Sequence, residues 1–254
     1  MGPSSRQAER HARQITIPEI GPEGQRKLAR ARVLVFGAGG LASAAIYYLA
    51  CAGVGTIGVA DDDRIELSNL NRQILHNPHR IGMLKVFSAQ HTIMGFSPET
   101  HVVAYPRRVE SVTEMVEVIK EFDAVIDCTD NFESRDLINE SCILARKSWV
   151  YGAVSGFEGQ VMTITPGRGP CYRCLYPSLP QSSDNSARAG VIGVSPGFIG
   201  VLQASEIIKH ILGKGSLLVG RLLYADLLEM DFSELHVSKN PTCRYCGGHM
   251  SMEG

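Results

Sequence analysis

The 254-residue sequence predicts a doubly wound α/β fold: a mostly parallel sheet with helices on both faces, continued by antiparallel strands near the C-terminus. Three observations predict it. The 28 positions between Arg32 and Asp61 carry no charge and are divided by glycines into strand, turn, helix and strand. A second short apolar run, residues 122–128, ends in the polar Thr129-Asp130-Asn131. Two late segments, 222–226 and 231–237, read as further strands.

Residues 1–10 are polar and lack the apolar core of a signal peptide, so residues 1–30 are expected to form a helical arm. Residues 33–36 read as a buried strand, 37–40 as a turn, 41–52 as a helix and 56–60 as a second buried strand. The uncharged stretch is long enough for a membrane span, but its glycines divide it into a βαβ unit, so no membrane association is expected. A helix beginning near Gly82 carries Lys85, and another is expected from near Glu133. Residues 180–189 form a Ser-rich segment expected to be mobile when empty, either an ordinary surface loop or the entry for a partner's tail. The run 191–212 leads into a helix over 200–212, whose face of Val201, Ala204, Ile208 and Ile211 suits core or dimer interface. No linker or repeat splits the chain. One domain is expected over 1–254, with an arm (1–30), a nucleotide-binding core (31–165) and a C-terminal extension (166–254).

Charge excludes two classes of partner. With 25 basic and 26 acidic residues the net charge is −1, which offers no electrostatic case for nucleic acid or a membrane surface. The seven cysteines include Cys51, Cys128 and Cys142 in apolar segments, as expected of a cytoplasmic, reducing environment. The other four form two Cys-x-x-Cys pairs, Cys171/Cys174 and Cys243/Cys246, with 68 residues between them. Two knuckles in turn-forming sequence suit a tetrahedral Zn²⁺ site that fastens the tail to the middle of the fold. Disulfides or a redox pair are the rivals. A four-cysteine site has no open position, so its role would be structural.

The turn Gly37-x-Gly39-x-x-Ala42, with Gly40 inside it, opens a helix and lets backbone amides approach phosphate, as in a Rossmann-like nucleotide site. Asp61 ends the second strand 24 residues after Gly37, where a carboxylate accepts hydrogen bonds from a ribose. Those two features alone fit an NAD-dependent dehydrogenase or an empty site. The run Ser68-Asn69-Leu70-Asn71-Arg72-Gln73, followed by Lys85, points instead to a triphosphate, since guanidinium and ammonium neutralise charge on a leaving pyrophosphate. The alternative is that Arg72 and Lys85 are ordinary surface charges. Asp130 lies where a strand end faces the crevice and could hold Mg²⁺, or it could cap the following helix.

Together these residues resemble the ThiF/MoeB/HesA family of sulfur-carrier adenylyltransferases, relatives of the adenylation domain of ubiquitin-activating enzymes. The resemblance runs through residues 10–15, Gly37 to Leu41, Asp61-Asp62-Asp63, Ser68 to Gln73, Lys85, Cys128 to Asn131, Gly159-Gln160 and both cysteine pairs. It implies that a ubiquitin-like carrier's C-terminal Gly-Gly carboxylate attacks the α-phosphate of ATP, giving an acyl adenylate and pyrophosphate. By resemblance Asp61 holds the ribose, with Asp63 beside it. Asn69, Arg72 and Lys85 hold the phosphates, within a nucleotide-binding set that includes Gly37, Gly39, Gly40, Ser68, Leu70, Asn71, Gln73 and Asn131. Asp130 holds magnesium, and Arg13 reaches the triphosphate from the neighbouring subunit of a homodimer.

Two features depart from the pattern. Ala42 replaces the third glycine of the turn, a small change. Many relatives carry a cysteine after the first zinc knuckle, whereas residues 181–190 contain Ser186 and no cysteine. A hydroxyl is a far weaker nucleophile than a partly ionised thiol, so the expected enzyme stops at the adenylate. Sulfur delivery is expected from outside this chain, and the missing cysteine tilts the expectation toward a molybdopterin-type activator over a thiamine-type one. A non-catalytic carrier-binding half of a heterodimer is the alternative in another class.

Overall fold

The computed structural model describes residues 5–178 and 190–247. Ser186 and the whole Ser-rich segment, 180–189, lie outside the described residues. The arm comprises α1 (Ser5–Arg10), α2 (Ala12–Ile15) and α3 (Gly21–Arg30). There follow β1 (Arg32–Phe36), α4 (Gly40–Ala52), β2 (Thr56–Ala60), α5 (Lys85–Phe96), β3 (His101–Tyr105), α6 (Val112–Lys120), β4 (Ala124–Asp127) and α7 (Phe132–Leu144). The C-terminal part holds β5 (Ser148–Ser155), β6 (Glu158–Ile164), the one-turn α8 (Tyr172–Leu175), α9 (Val194–Leu212), β7 (Arg221–Asp226) and β8 (Asp231–His236).

These strands form one eight-stranded sheet in the order β3-β2-β1-β4-β5-β6-β7-β8. The first five in that order run parallel, and β6, β7 and β8 continue it antiparallel. This is the expected architecture. Alternation along β1 explains both layers: Val33 and Val35 join a core under α3, α4, α5 and α9, while Leu34 and Phe36 join one under α6, α7 and α8. Burial on both faces is why these strands read as continuous apolar runs. The order in which strands are added to the sheet reverses between β1 and β4, so their carboxyl ends border a crevice.

Three element starts differ from expectation. The helix bearing Lys85 begins at Lys85 itself, because Leu84 is extended and the isolated bridge Arg64–Leu84 occupies the preceding segment. Asn131 caps α7, its Oδ1 accepting from the Ser134 amide at 2.8 Å, so Asp130 is not the cap. Helix α9 starts at Val194, six residues before the expected Gly200. Pro196 is tolerated in its first turn, and Gly200 does not break it. A Cβ at Gly200 would stand 2.2 Å from the Leu41 carbonyl oxygen, so this glycine lets α9 press against α4. Of the expected apolar face only Ala204 is fully buried. Ile208 and Ile211 are half-buried and pack against the same core, and the polar Gln203 and Glu206 also turn inward, each satisfied by hydrogen bonds.

No described helix is long and apolar enough to cross a membrane.

Candidate functional site

A cleft of about 600 Å³ opens over the carboxyl ends of β1, β2 and β4. Gly37 begins it with φ +91°, and a Cβ there would lie 2.6 Å from the Cys128 carbonyl oxygen, so only glycine fits. Among the described residues the Gly39 and Gly40 amides make no hydrogen bond and stand at the N-terminus of α4, ready for an anion. The Ala38 amide is already used: it donates to Asp61 Oδ2 at 2.7 Å, while Asp61 Oδ1 accepts from the Asp63 amide at 2.8 Å. Burial pushes the Asp61 carboxyl above its ordinary range, opposed by the nearby Lys85 charge and these amides.

The cations come from the segment after β2. Arg72 donates from Nη1 to the Ser68 carbonyl at 3.0 Å and to Asn71 Oδ1 at 2.9 Å, which sets the guanidinium at the cleft wall. Lys85 is almost fully buried, and its Nζ lies 2.7 Å from Asp63 Oδ2. Asp130 faces them from the end of β4. It is exposed, and among the described residues its carboxylate meets only Asn131 Nδ2, at 3.5 Å. Its loop is held from below. Thr129 donates its amide and hydroxyl to the buried Asp127, at 2.9 and 2.6 Å, and Arg135 Nη2 donates to the Thr129 carbonyl at 2.9 Å. Burial raises Asp127, and the Arg135 guanidinium 3.5 Å away pulls it back down.

The cleft therefore unites Gly37, Gly39, Gly40, Asp61, Asp63, Arg72, Gln73, Lys85, Asp130 and Asn131. Ser68, Asn69, Leu70 and Asn71 do not line it. Asn69 forms a reciprocal capping box with Glu66, Ser68 donates to Glu66 Oε2, and Asn71 orients Arg72, so these polar side chains build the turn behind Arg72. Arg13 is also outside it. Helix α2 packs at the opposite ends of the strands, where Gln14 Nε2 donates to the Ala52 carbonyl at 2.8 Å.

Sequence reasoning missed several lining residues. Arg107 and Arg108 follow β3, whose place beside β2 no local pattern discloses; Arg107 pairs with Glu114, and Arg108 has no partner among the described residues. Arg135, five residues beyond Asp130 on α7, was legible as a helical neighbour. The far wall contains Tyr151, Tyr176 and Gln160, with Gln160 Nε2 donating to Tyr176 Oη at 3.0 Å.

Away from the cleft, the four paired cysteines converge beneath the second core. Their sulfurs lie within 4.8 Å of one another: Cys171–Cys174 at 4.0, Cys171–Cys243 at 3.6 and Cys174–Cys246 at 3.4 Å. All are free thiols here, with no pair at disulfide bonding distance. Around a 2.3 Å zinc–sulfur bond, tetrahedral geometry sets sulfurs roughly 3.8 Å apart, so this donor set fits zinc.

The model of the ThiF family matches residues 11–245. This chain belongs to the ThiF family. It is 43% identical over 246 residues to the sulfur carrier protein adenylyltransferase of Thermus thermophilus, covering 94% of this chain and 90% of that one. It is likewise 43% identical over 243 residues to the SAMP-activating enzyme E1 of Haloferax volcanii, covering 95% and 89%. Among solved structures, E. coli MccB with MccA-N7isoASN superimposes with a TM-score of 0.86 over 97% of this chain and 76% of that one. At 22% identity, that likeness establishes the fold alone. For this ThiF-family chain the dehydrogenase reading is set aside.

Proposed function

We propose that this chain activates the C-terminal carboxylate of a ubiquitin-like sulfur-carrier protein as its acyl adenylate. The observation that carries the reading is the convergence of Arg72, Lys85 and Asp130 on the glycine turn, in a chain so similar to sulfur-carrier adenylyltransferases. The carrier's carboxylate oxygen attacks the α-phosphorus of ATP. One oxygen–phosphorus bond forms, the bond to the β-phosphate oxygen breaks, and pyrophosphate leaves with the electron pair. No proton moves, because the carboxylate is already ionised at neutral pH and needs no general base.

The obstacle is repulsion between two anions. The Gly39 and Gly40 amides would cradle phosphate, Arg72 and Lys85 would neutralise the charge that collects on pyrophosphate, and Asp61 would anchor the ribose. A magnesium ion bound with the triphosphate would add a divalent charge, with Asp130 as its protein ligand. Arg13 stands too far round the fold to serve its own cleft, which supports its delivery from a second copy in a homodimer. The four-cysteine site would hold structural zinc.

The chemistry would stop at the adenylate. No cysteine occurs between Cys174 and Cys243. Cys128 lies in the cleft floor, but burial pushes its thiol well above the ordinary range, so it offers no thiolate.

Carrier-dependent ATP–pyrophosphate exchange tests the reading, using carriers that end in Gly-Gly and serve molybdopterin, thiamine or related pathways. Exchange with one carrier, reduced roughly 100-fold or more by Arg72→Ala and by Asp130→Ala, is expected. A wild-type protein that binds ATP but exchanges with no carrier would favour the non-catalytic carrier-binding alternative.

A further inference from the structure

We propose that His76 is a positioning residue that holds the nucleotide turn in register with the two phosphate-binding cations; this rests on the adenylation reading and deepens it. Ala38, in the middle of the turn, is gripped from both sides. Its amide donates to Asp61, and its carbonyl oxygen lies 2.9 Å from His76 Nε2. The other ring nitrogen, Nδ1, lies 3.0 Å from Ser88 Oγ. His76 is 6% exposed and Ser88 fully buried, so neither bond has water as a substitute.

The network fixes the tautomer. A carbonyl only accepts, so Nε2 carries the hydrogen, Nδ1 is left as an acceptor, and the Ser88 hydroxyl donates to it. Arg80 Nη1 donates to the Ser88 carbonyl at 2.9 Å and keeps that turn of α5 in place.

The three segments joined by this ring are those that carry the phosphate contacts. His76 follows Arg72 by four residues, and Ser88 lies three residues beyond Lys85 on the same helix, hence on the same face. Ala38 immediately precedes the Gly39 and Gly40 amides. A second tie runs nearby: the Leu75 amide donates to Ser43 Oγ at 3.3 Å, and that hydroxyl donates to the Gly39 carbonyl at 2.8 Å. The Ser43 tie holds the backbone of the segment close; the His76 bond sets the plane of the Ala38–Gly39 peptide and hence the aim of the Gly39 amide.

The test is calorimetric titration of Mg·ATP in the absence of carrier, alongside exchange kinetics and melting curves, for wild type, His76→Phe, His76→Gln and Ser88→Ala. His76→Phe keeps bulk but orphans the buried Ala38 carbonyl, and a Kd for ATP raised roughly 10-fold or more is expected. His76→Gln restores a donor and should recover most of that loss; Ser88→Ala frees the tautomer and should raise Kd roughly threefold. Should His76→Phe fail to fold, the other two variants carry the test. An unchanged Kd in Ser88→Ala, or a Kd in His76→Gln raised as far as that of His76→Phe, would overturn the proposal. Wild type that binds no ATP would overturn the adenylation reading itself, and this one with it.

Discussion

Lys85 and Asp63 are joined twice: Nζ lies 2.7 Å from Asp63 Oδ2, and the Lys85 amide donates to the Asp63 carbonyl at 2.9 Å. The pair is asymmetric. The lysine side chain is 7% exposed and the aspartate 67%, so Asp63 is the solvent-facing half of a charge pair whose other half is buried in the cleft wall. On the adenylation reading, phosphate would replace Asp63 as the partner of Lys85.

Asp63→Asn should therefore destabilise the nucleotide-free protein by about 1 kcal/mol once solvent screening at the exposed carboxylate is allowed for, and lower its melting temperature accordingly. The stabilisation conferred by ATP should grow, because phosphate would then satisfy a buried ammonium that has lost its direct ion-pair partner and keeps only the more distant Asp61 charge. Melting curves with and without Mg·ATP measure both effects. An ATP-induced shift equal to that of wild type would contradict the exchange of partners.

If Arg13 acts in a second copy, Arg13→Ala and Asp130→Ala damage different halves of one composite site. Each variant alone should be nearly inactive. Mixed and allowed to exchange subunits, half the dimers would be mixed and each would keep one intact site, so about a quarter of wild-type exchange activity should return. Near-zero activity in the mixture would show that Arg13 is not supplied by a second copy.

One zinc per chain is expected in purified protein, lost on Cys171→Ser or by strong chelation. Cys171 and Cys243 are buried against Tyr172 and Trp149, so loss of the metal should loosen the tail and lower the melting temperature by several degrees or more. Turnover should change only secondarily. A metal-free preparation with unaltered melting would remove zinc from its structural role.

Acid should destabilise the fold before carboxylates titrate. Burial lowers the folded-state values of His11, His76 and His210 below the ordinary 6.5. The unfolded chain then binds more protons below about pH 6.5, so the stabilisation is complete above that pH and is lost as pH falls through the folded-state values. Asp61 and Asp127 are raised and act with the opposite sign, stabilising only where carboxylates protonate. Urea unfolding between about pH 7.5 and 5.5 should show stability falling, and less steeply in His76→Gln. A flat profile over that window would contradict it.

Parts of the site were legible because their residues are local. Gly37 to Gly40 and Asp61 belong to one βαβ unit, whose geometry follows from apolar runs cut by glycine. The convergence of four cysteines from segments 68 residues apart was also legible, since thiolates at knuckle spacing have few other uses. The run from Ser68 to Gln73 was read as uniformly ligand-facing, whereas Glu66 draws Asn69 into a capping box and Ser68 into a hydrogen bond. Sequence could not rank those competing hydrogen bonds. Nor could it place Arg107 and Arg108, which reach the cleft only because β3 lies next to β2 in the sheet.

By itself, the sequence determined the doubly wound class, the nucleotide turn, the cations and the cysteine set, because hydrophobic period, glycine conformational freedom and ligand spacing are local properties. Only the tertiary structure decided that Asn131 caps α7 while Asp130 stays exposed, that Asp63 is the counterion of Lys85, and that His76 grips Ala38 from across the fold. Each of those depends on which polar group wins a partner when water is excluded, and that competition is settled by the distances that packing sets between segments remote in the chain.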